Sequence, residues 1–140
     1  MFYFIMVISF TAYQDRILKR ANVLNDRIHS KQLYYIYIIY NGSNSVKVGI
    51  TKNDPDKRLK QLSTGNDSKL ELKYFEKIEC SHHHVLLIEK NIHSELGKTY
   101  ERLNGEWFRI KDDSDIEYIE SVVVFNRMRY ENDYLALYRK

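Results

Sequence analysis

At 140 residues and 44% hydrophobic, the chain can bury one ordinary core and is too short for two full domains. Its single cysteine, Cys80, excludes an internal disulfide, and its place at the end of a predicted strand points to a buried thiol in a reducing compartment, hence an intracellular protein. A net charge of +3 permits a polyanionic partner without demanding one.

The opening MFYFIMVISF is apolar but lacks the basic region of a secretory signal. It is about half the length needed to cross a bilayer, so no membrane partner is expected. It reads as a strand or helix start packed on the domain or on a partner chain, or as the remnant of a larger frame lost upstream. From about residue 11 to 30, Ile17, Ala21, Leu24 and Ile28 fall at helical spacing on one face, with Arg16, Lys19, Arg20 and Arg27 around it. Such a helix docks on the domain, pairs with a second copy to make a homo-oligomer, or lies along DNA. Tyr34 to Tyr40 is dense in β-branched and aromatic residues, Asn41-Gly42-Ser43-Asn44 supplies turn chemistry, and Val46 to Thr51 resumes the strand, giving a β-hairpin. Asp54 can cap a helix with Pro55 at its first position and Leu59 and Leu62 inward, ended by Ser63-Thr64-Gly65-Asn66. Residues 70–80 alternate, with Leu70, Leu72, Tyr74, Ile78 and Cys80 on one side. Ser81 can cap a helix over about 82–96 that stops at Gly97, and Ser114 with Glu117 forms a capping box ahead of a last helix over about 115–130. The fold class is α/β (α+β): a small, mainly antiparallel three-stranded sheet flanked by helices. Residues 1–32 form an N-terminal apolar segment and amphipathic helix, 33–112 the domain proper, and 113–140 a C-terminal helical extension.

The hairpin and first domain helix resemble the start of the GIY-YIG nuclease domain. Tyr35-Ile36-Tyr37 stands where that family writes Gly-Ile-Tyr, Lys47-Val48-Gly49 where it writes Tyr-Ile-Gly, and Arg58 where it keeps an arginine on the first helix. Glu89 in LLIEKNIH and the GEWF of residues 105–108 extend the likeness over about residues 34–110, toward the branch found in bacteriophages and large DNA viruses. A cytoplasmic or nuclear location in a host cell, or a phage-infected bacterium, is implied.

Hydrolysing a phosphodiester requires a water, a group to take its proton, charge stabilisation at phosphorus and help for the departing 3′ oxygen. The resemblance implies that Glu89 holds one Mg²⁺ or Mn²⁺, that Arg58 clamps a phosphate and that Tyr37 positions or deprotonates the water. Arginine's planar fork suits two phosphate oxygens, and its charge survives burial. Gly49 allows close backbone approach, to substrate or across the sheet. Lys47 replaces a tyrosine that many relatives use, and offers a phosphate contact or a proton. Leu62 occupies the position where many active relatives carry a histidine base. His93, one turn after Glu89 on the same helix face, is a substitute or a second metal contact, so Tyr37, Lys47, His93 and a metal-bound hydroxide all stand as proton acceptors. The family's late asparagine corresponds to Asn104, unless GEWF has moved that role to Glu106 or Trp107. Trp107 and Phe108 read as a packed anchor for the last segment more than as a base-stacking platform. Adjacent histidines on a helix point in different directions, so His82-His83-His84 is not expected to bind a metal. Lys47, Lys52, Lys57, Arg58 and Lys60 outnumber Asp54 and Asp56 where a phosphate backbone would approach, and Lys47, Gly49, Lys52, Lys57, Arg58 and Lys60 are the nucleic-acid-binding candidates.

The expected function is a metal-dependent DNA endonuclease or nicking domain of GIY-YIG type, with DNA as partner. The alternatives are a DNA-binding module that keeps the fold without catalysis, and a structural or oligomerising viral protein. The homo-oligomer would form through the N-terminal helix.

Overall fold

The computed structural model describes residues 12–22, 30–65 and 69–138. Helix α1 covers 12–22, and the described part of the expected docking face is open: Ile17 and Ala21 are exposed. Helical spacing fixes which residues share a face but not what covers that face. Leu24, Ile28 and the apolar opening lie outside the described residues.

Strands β1 (Lys31–Tyr40) and β2 (Ser45–Thr51) pair antiparallel with Tyr37 directly opposite Gly49. The turn between them is built by Asn41, whose Oδ1 accepts the backbone N–H groups of Ser43, Asn44 and Ser45, each at 3.0 Å. Gly42 supplies the positive φ of 83° that this turn requires. Helix α2 (Pro55–Ser63) starts as the sequence indicates, with Asp54 Oδ1 accepting from Asp56 N–H at 2.9 Å. Strand β3 (Glu71–Ser81) pairs with the other edge of β1, and helix α3 (His82–Leu96) is capped by Ser81, which accepts from His84 N–H.

Two features of the sheet depart from expectation. Among the described residues the sheet has four strands, in the order β3-β1-β2-β4, because Trp107–Arg109 forms β4 against Ser45–Lys47. Three residues are too few to display a period of two, so this strand had no sequence signature. The single alternating face expected over 70–80 is split as well. Ile39 pairs with Leu72 but Ile38 pairs with Tyr74, leaving Lys73 as the extra residue of a β-bulge. Leu70 and Leu72 therefore pack toward α2, whereas Tyr74, Ile78 and Cys80 face the opposite side.

That opposite side carries the main core. Tyr34, Ile36 and Ile38 of β1, Val46 and Val48 of β2 and Phe108 of β4 meet Val85, Ile88, Ile92 and Leu96 of α3. Helix α4 (Asp113–Tyr138) closes the layer with Ile116, Ile119, Val122 and Val123. Each fully buried Ile or Val contributes about 1.5–3 kcal/mol through the apolar area removed from water. The start of α4 lies two residues before the expected position. Asp112 Oδ1 accepts from Ser114 N–H at 2.9 Å, and Asp115 Oδ2 accepts from Asp112 N–H at 3.2 Å, so the capping box is Asp112–Asp115 instead of Ser114–Glu117. Under α2 lies a smaller core of Tyr37, Ile39 and Leu70, with Leu59, Leu62, Leu72 and Trp107 against it. Among the described residues, no helix is long and apolar enough to cross a membrane.

Candidate active site

Alternation along β1 and β2 brings Tyr37, Lys47 and Gly49 to the side of the sheet that α2 covers. Tyr37 is almost fully buried, and its Oη accepts a long hydrogen bond of 3.5 Å from Arg58 Nε on α2. Arg58 also reaches Gln61 Oε1 from Nη1 at 3.4 Å, so its fork is held at the rim of the helix. Gly49 makes this arrangement possible. A Cβ there would stand 2.5 Å from Tyr37 Oη and 2.8 Å from Glu106 Oε2, closer than any real side-chain carbon comes. The close approach is thus across the sheet, and the space a side chain would take holds two polar oxygens.

Glu106, in the turn before β4, is the member of the site that the sequence left ambiguous. Its Oε2 lies 3.4 Å from Lys47 Nζ, and Lys47 also stands 5.9 Å from the centre of the Trp107 ring. Asn104, the other candidate for the late position, is exposed in the same turn. The only sequence signal for Glu106 was its place inside GEWF.

Glu89 and His93 enter from α3 along an edge of β2 that the short β4 does not cover. Pairing with β4 stops at Lys47, and the next outward backbone groups need partners. Val48 N–H donates to Glu106 O at 3.3 Å, Val48 O lies 2.7 Å from His93 Nε2, and Ile50 N–H serves the Glu89 carboxylate. One turn of spacing between Glu89 and His93 matches the two-residue step along a strand edge, so both side chains cap it.

The electrostatics separate the two residues. Burial holds the His93 imidazole below its usual range, opposed by the Val48 hydrogen bond and by Glu106. With its Nε2 engaged by a backbone carbonyl and its ring buried against Phe108, His93 is placed as a support of the strand. Burial, then the nearby charge of Glu106, pushes Glu89 up to about 7 from the ordinary 4.5. Its Oε2 is buried without a hydrogen-bond partner. Burial also raises the Tyr37 phenol; the Arg58 hydrogen bond opposes this, while the charges of Glu106 and Glu89 add to it.

An orphaned, buried carboxylate oxygen within electrostatic reach of a second carboxylate fits a hard cation. Mg²⁺ is commonly held by one or two carboxylates and keeps several waters, so it does not need a cage of protein ligands. Among the described residues, no three His, Cys, Asp or Glu side chains are grouped to form such a cage, the histidine run included. His82 Nδ1 lies 3.3 Å from Tyr34 Oη and His84 Nδ1 lies 2.6 Å from Ser81 Oγ.

Of the other candidates, Lys52, Lys57 and Lys60 are exposed, with Lys52 Nζ 5.8 Å from the centre of the Tyr34 ring. Leu62 packs against the small core under α2, which fills the position of a histidine base with apolar contact.

No curated protein and no solved structure gives a significant match to the chain. The family model described as the T5orf172 domain matches residues 34–128, a span that begins in β1, contains Tyr37, Lys47, Gly49, Arg58, Glu89 and Glu106, and ends in α4. That domain is associated with GIY-YIG-like phage proteins and is compatible with a nuclease-like or DNA-binding role. With well over half of its length matched, the chain belongs to the T5orf172 domain family.

Proposed function

We propose that this protein is a metal-dependent DNA endonuclease or nicking domain of GIY-YIG type. The observation that carries the reading is the buried, unpartnered Oε2 of Glu89, whose charge is felt by the tyrosine of a tyrosine–arginine pair. A desolvated carboxylate oxygen with no partner is costly to maintain. A bound cation gives it a purpose, and its neighbours suit phosphate chemistry.

Glu89 holds the Mg²⁺ or Mn²⁺ in this reading, and the ion, when bound, supplies positive charge to the phosphate and the departing 3′ oxygen. Arg58 donates its fork to the non-bridging oxygens, which gain charge in the transition state. Tyr37 orients the attacking water through its phenol oxygen. Because its pKa is raised, the phenol keeps its proton at neutral pH and becomes a proton acceptor only in alkaline solution. Lys52, Lys57 and Lys60 supply sequence-independent contacts to the DNA backbone. A protein with this division of labour cuts with little sequence preference of its own.

The test is nicking of supercoiled plasmid with Mg²⁺ or Mn²⁺, with and without chelator. Glu89→Ala and Arg58→Ala should each lower the rate by about 100-fold or more, since each removes stabilisation of the transition state. DNA binding by Glu89→Ala should largely survive. The packing of Leu62 where a base would stand, together with the engagement of His93 by Val48, favours a second reading, a DNA-binding module without catalysis. Tight DNA binding with no metal-dependent cleavage of single-stranded, duplex or branched substrates would favour that second reading over the first.

A further inference from the structure

Lys47 has no part in the chemistry above and Glu106 enters it only as a neighbouring charge, yet the pair adjoins the contact between Tyr37 and Gly49. Glu106 Oε2 and Tyr37 Oη sit over the same Gly49 Cα, and Lys47 Nζ lies 3.4 Å from that Glu106 oxygen. The Lys47 side chain is only 13% exposed, so its ammonium is held in place by its surroundings and not simply by solvent contact. A lysine is a compact point charge on a flexible stem; unlike a divalent ion, it does not bridge several oxygens at fixed distances. It neutralises Glu106 and leaves Glu89 Oε2 without a partner. The Trp107 face, 5.9 Å from Nζ, offers the ammonium a second favourable position.

We propose, on the basis of the metal-dependent reading above, that Glu106 is the second carboxylate of the cation site. Lys47 is its resident counterion, displaced from Glu106 when a hard divalent cation binds. The metal and the lysine then compete for one carboxylate, and cation loading releases an ammonium beside the position of the substrate phosphate. Sequence alone does not reveal this competition, because residues 47 and 106 meet only through the β2–β4 pairing.

The experiment is titration of the metal-free full-length protein with Mn²⁺, following free ion by electron paramagnetic resonance, with circular dichroism to verify folding. Glu106→Gln should weaken Mn²⁺ binding about 10–100-fold, the range seen when contacts around a metal site are removed. Lys47→Met should tighten it roughly fivefold or more, as expected when a competing ligand is deleted. Lys98→Met, an exposed lysine just past the end of α3, should leave it unchanged and so exclude a general charge effect. Tightening by Lys47→Met is a gain that misfolding does not produce. Unaltered binding by Glu106→Gln, or weaker binding by Lys47→Met, overturns the inference. If Glu89→Gln still abolishes Mn²⁺ binding in that case, the metal-dependent reading stands without it; a wild-type protein that binds no Mn²⁺ removes both.

Discussion

Replacing Glu89 by glutamine should stabilise the metal-free protein at alkaline pH and leave it nearly unchanged in acid. The Glu89 carboxyl is raised from 4.5 to about 7, first by burial and then by Glu106. A native pKa above the unfolded one means that the folded site prefers the proton. The associated stability is therefore complete below about pH 4.5 and is lost as the pH rises through about 7. At 1.36 kcal/mol per unit, a shift of this size corresponds to about 3 kcal/mol; allowing for the partial exposure of the side chain, roughly 2 kcal/mol is expected. Glutamine keeps an oxygen for the Ile50 N–H and cannot ionise. Urea unfolding in chelator should give nearly equal stabilities for the two proteins near pH ~4, and an advantage of about 2 kcal/mol to Glu89→Gln near pH ~8.5. Adding Mg²⁺ or Mn²⁺ at the higher pH should reverse the order. An ion that binds only the folded carboxylate adds about 2.7 kcal/mol at a hundred times its Kd, and the variant should gain far less. Wild-type and variant stabilities that run parallel from acid to alkaline pH would refute the claim that Glu89 carries an uncompensated buried charge.

Tyr37→Phe should reduce cleavage by about 100-fold, and the wild-type rate should keep climbing above about pH 8, because burial, Glu106 and Glu89 hold the phenol above its ordinary value despite Arg58. Undiminished cleavage by Tyr37→Phe would exclude the phenol from the reaction. His93→Leu removes the partner of the Val48 carbonyl and should cost about 1–3 kcal/mol in denaturant unfolding. It should leave the shape of the pH–rate profile unchanged; a step below the usual histidine range that disappears in this variant would instead identify His93 as the base. Gly49→Ala should destabilise the protein by about 1–3 kcal/mol, because its Cβ would overlap Tyr37 Oη and Glu106 Oε2. Adding Tyr37→Phe should recover part of that loss in a double-mutant cycle, and strict additivity would count against the contact.

The sequence by itself determined the elements whose signals are local. The hairpin followed from Asn41 and Gly42, α2 from Asp54 and Pro55, and α3 from Ser81, because turn geometry and capping are settled within a few residues. The resemblance to the GIY-YIG start picked out Tyr37, Gly49 and Arg58, whose proximity follows almost directly from hairpin pairing and the helix that comes next. The tertiary structure decided what depended on distant partners. The bulge at Lys73 arises in the pairing of β3 with β1, and it sends Leu72 and Tyr74 to opposite faces despite their even spacing. Strand β4 is too short to form except against β2, and its early end leaves the edge that Glu89 and His93 cap. The likeness of His93 to a catalytic base came from its spacing to Glu89; that same spacing, set against a strand edge 45 residues away in sequence, directs its Nε2 to a backbone carbonyl. Glu106 joined the site by the same route, since a residue whose partners are Lys47 and Gly49 has no neighbour in its own segment to announce it. Local propensity and periodicity specify elements and faces, whereas the charge balance of a site depends on which faces the folded chain brings together.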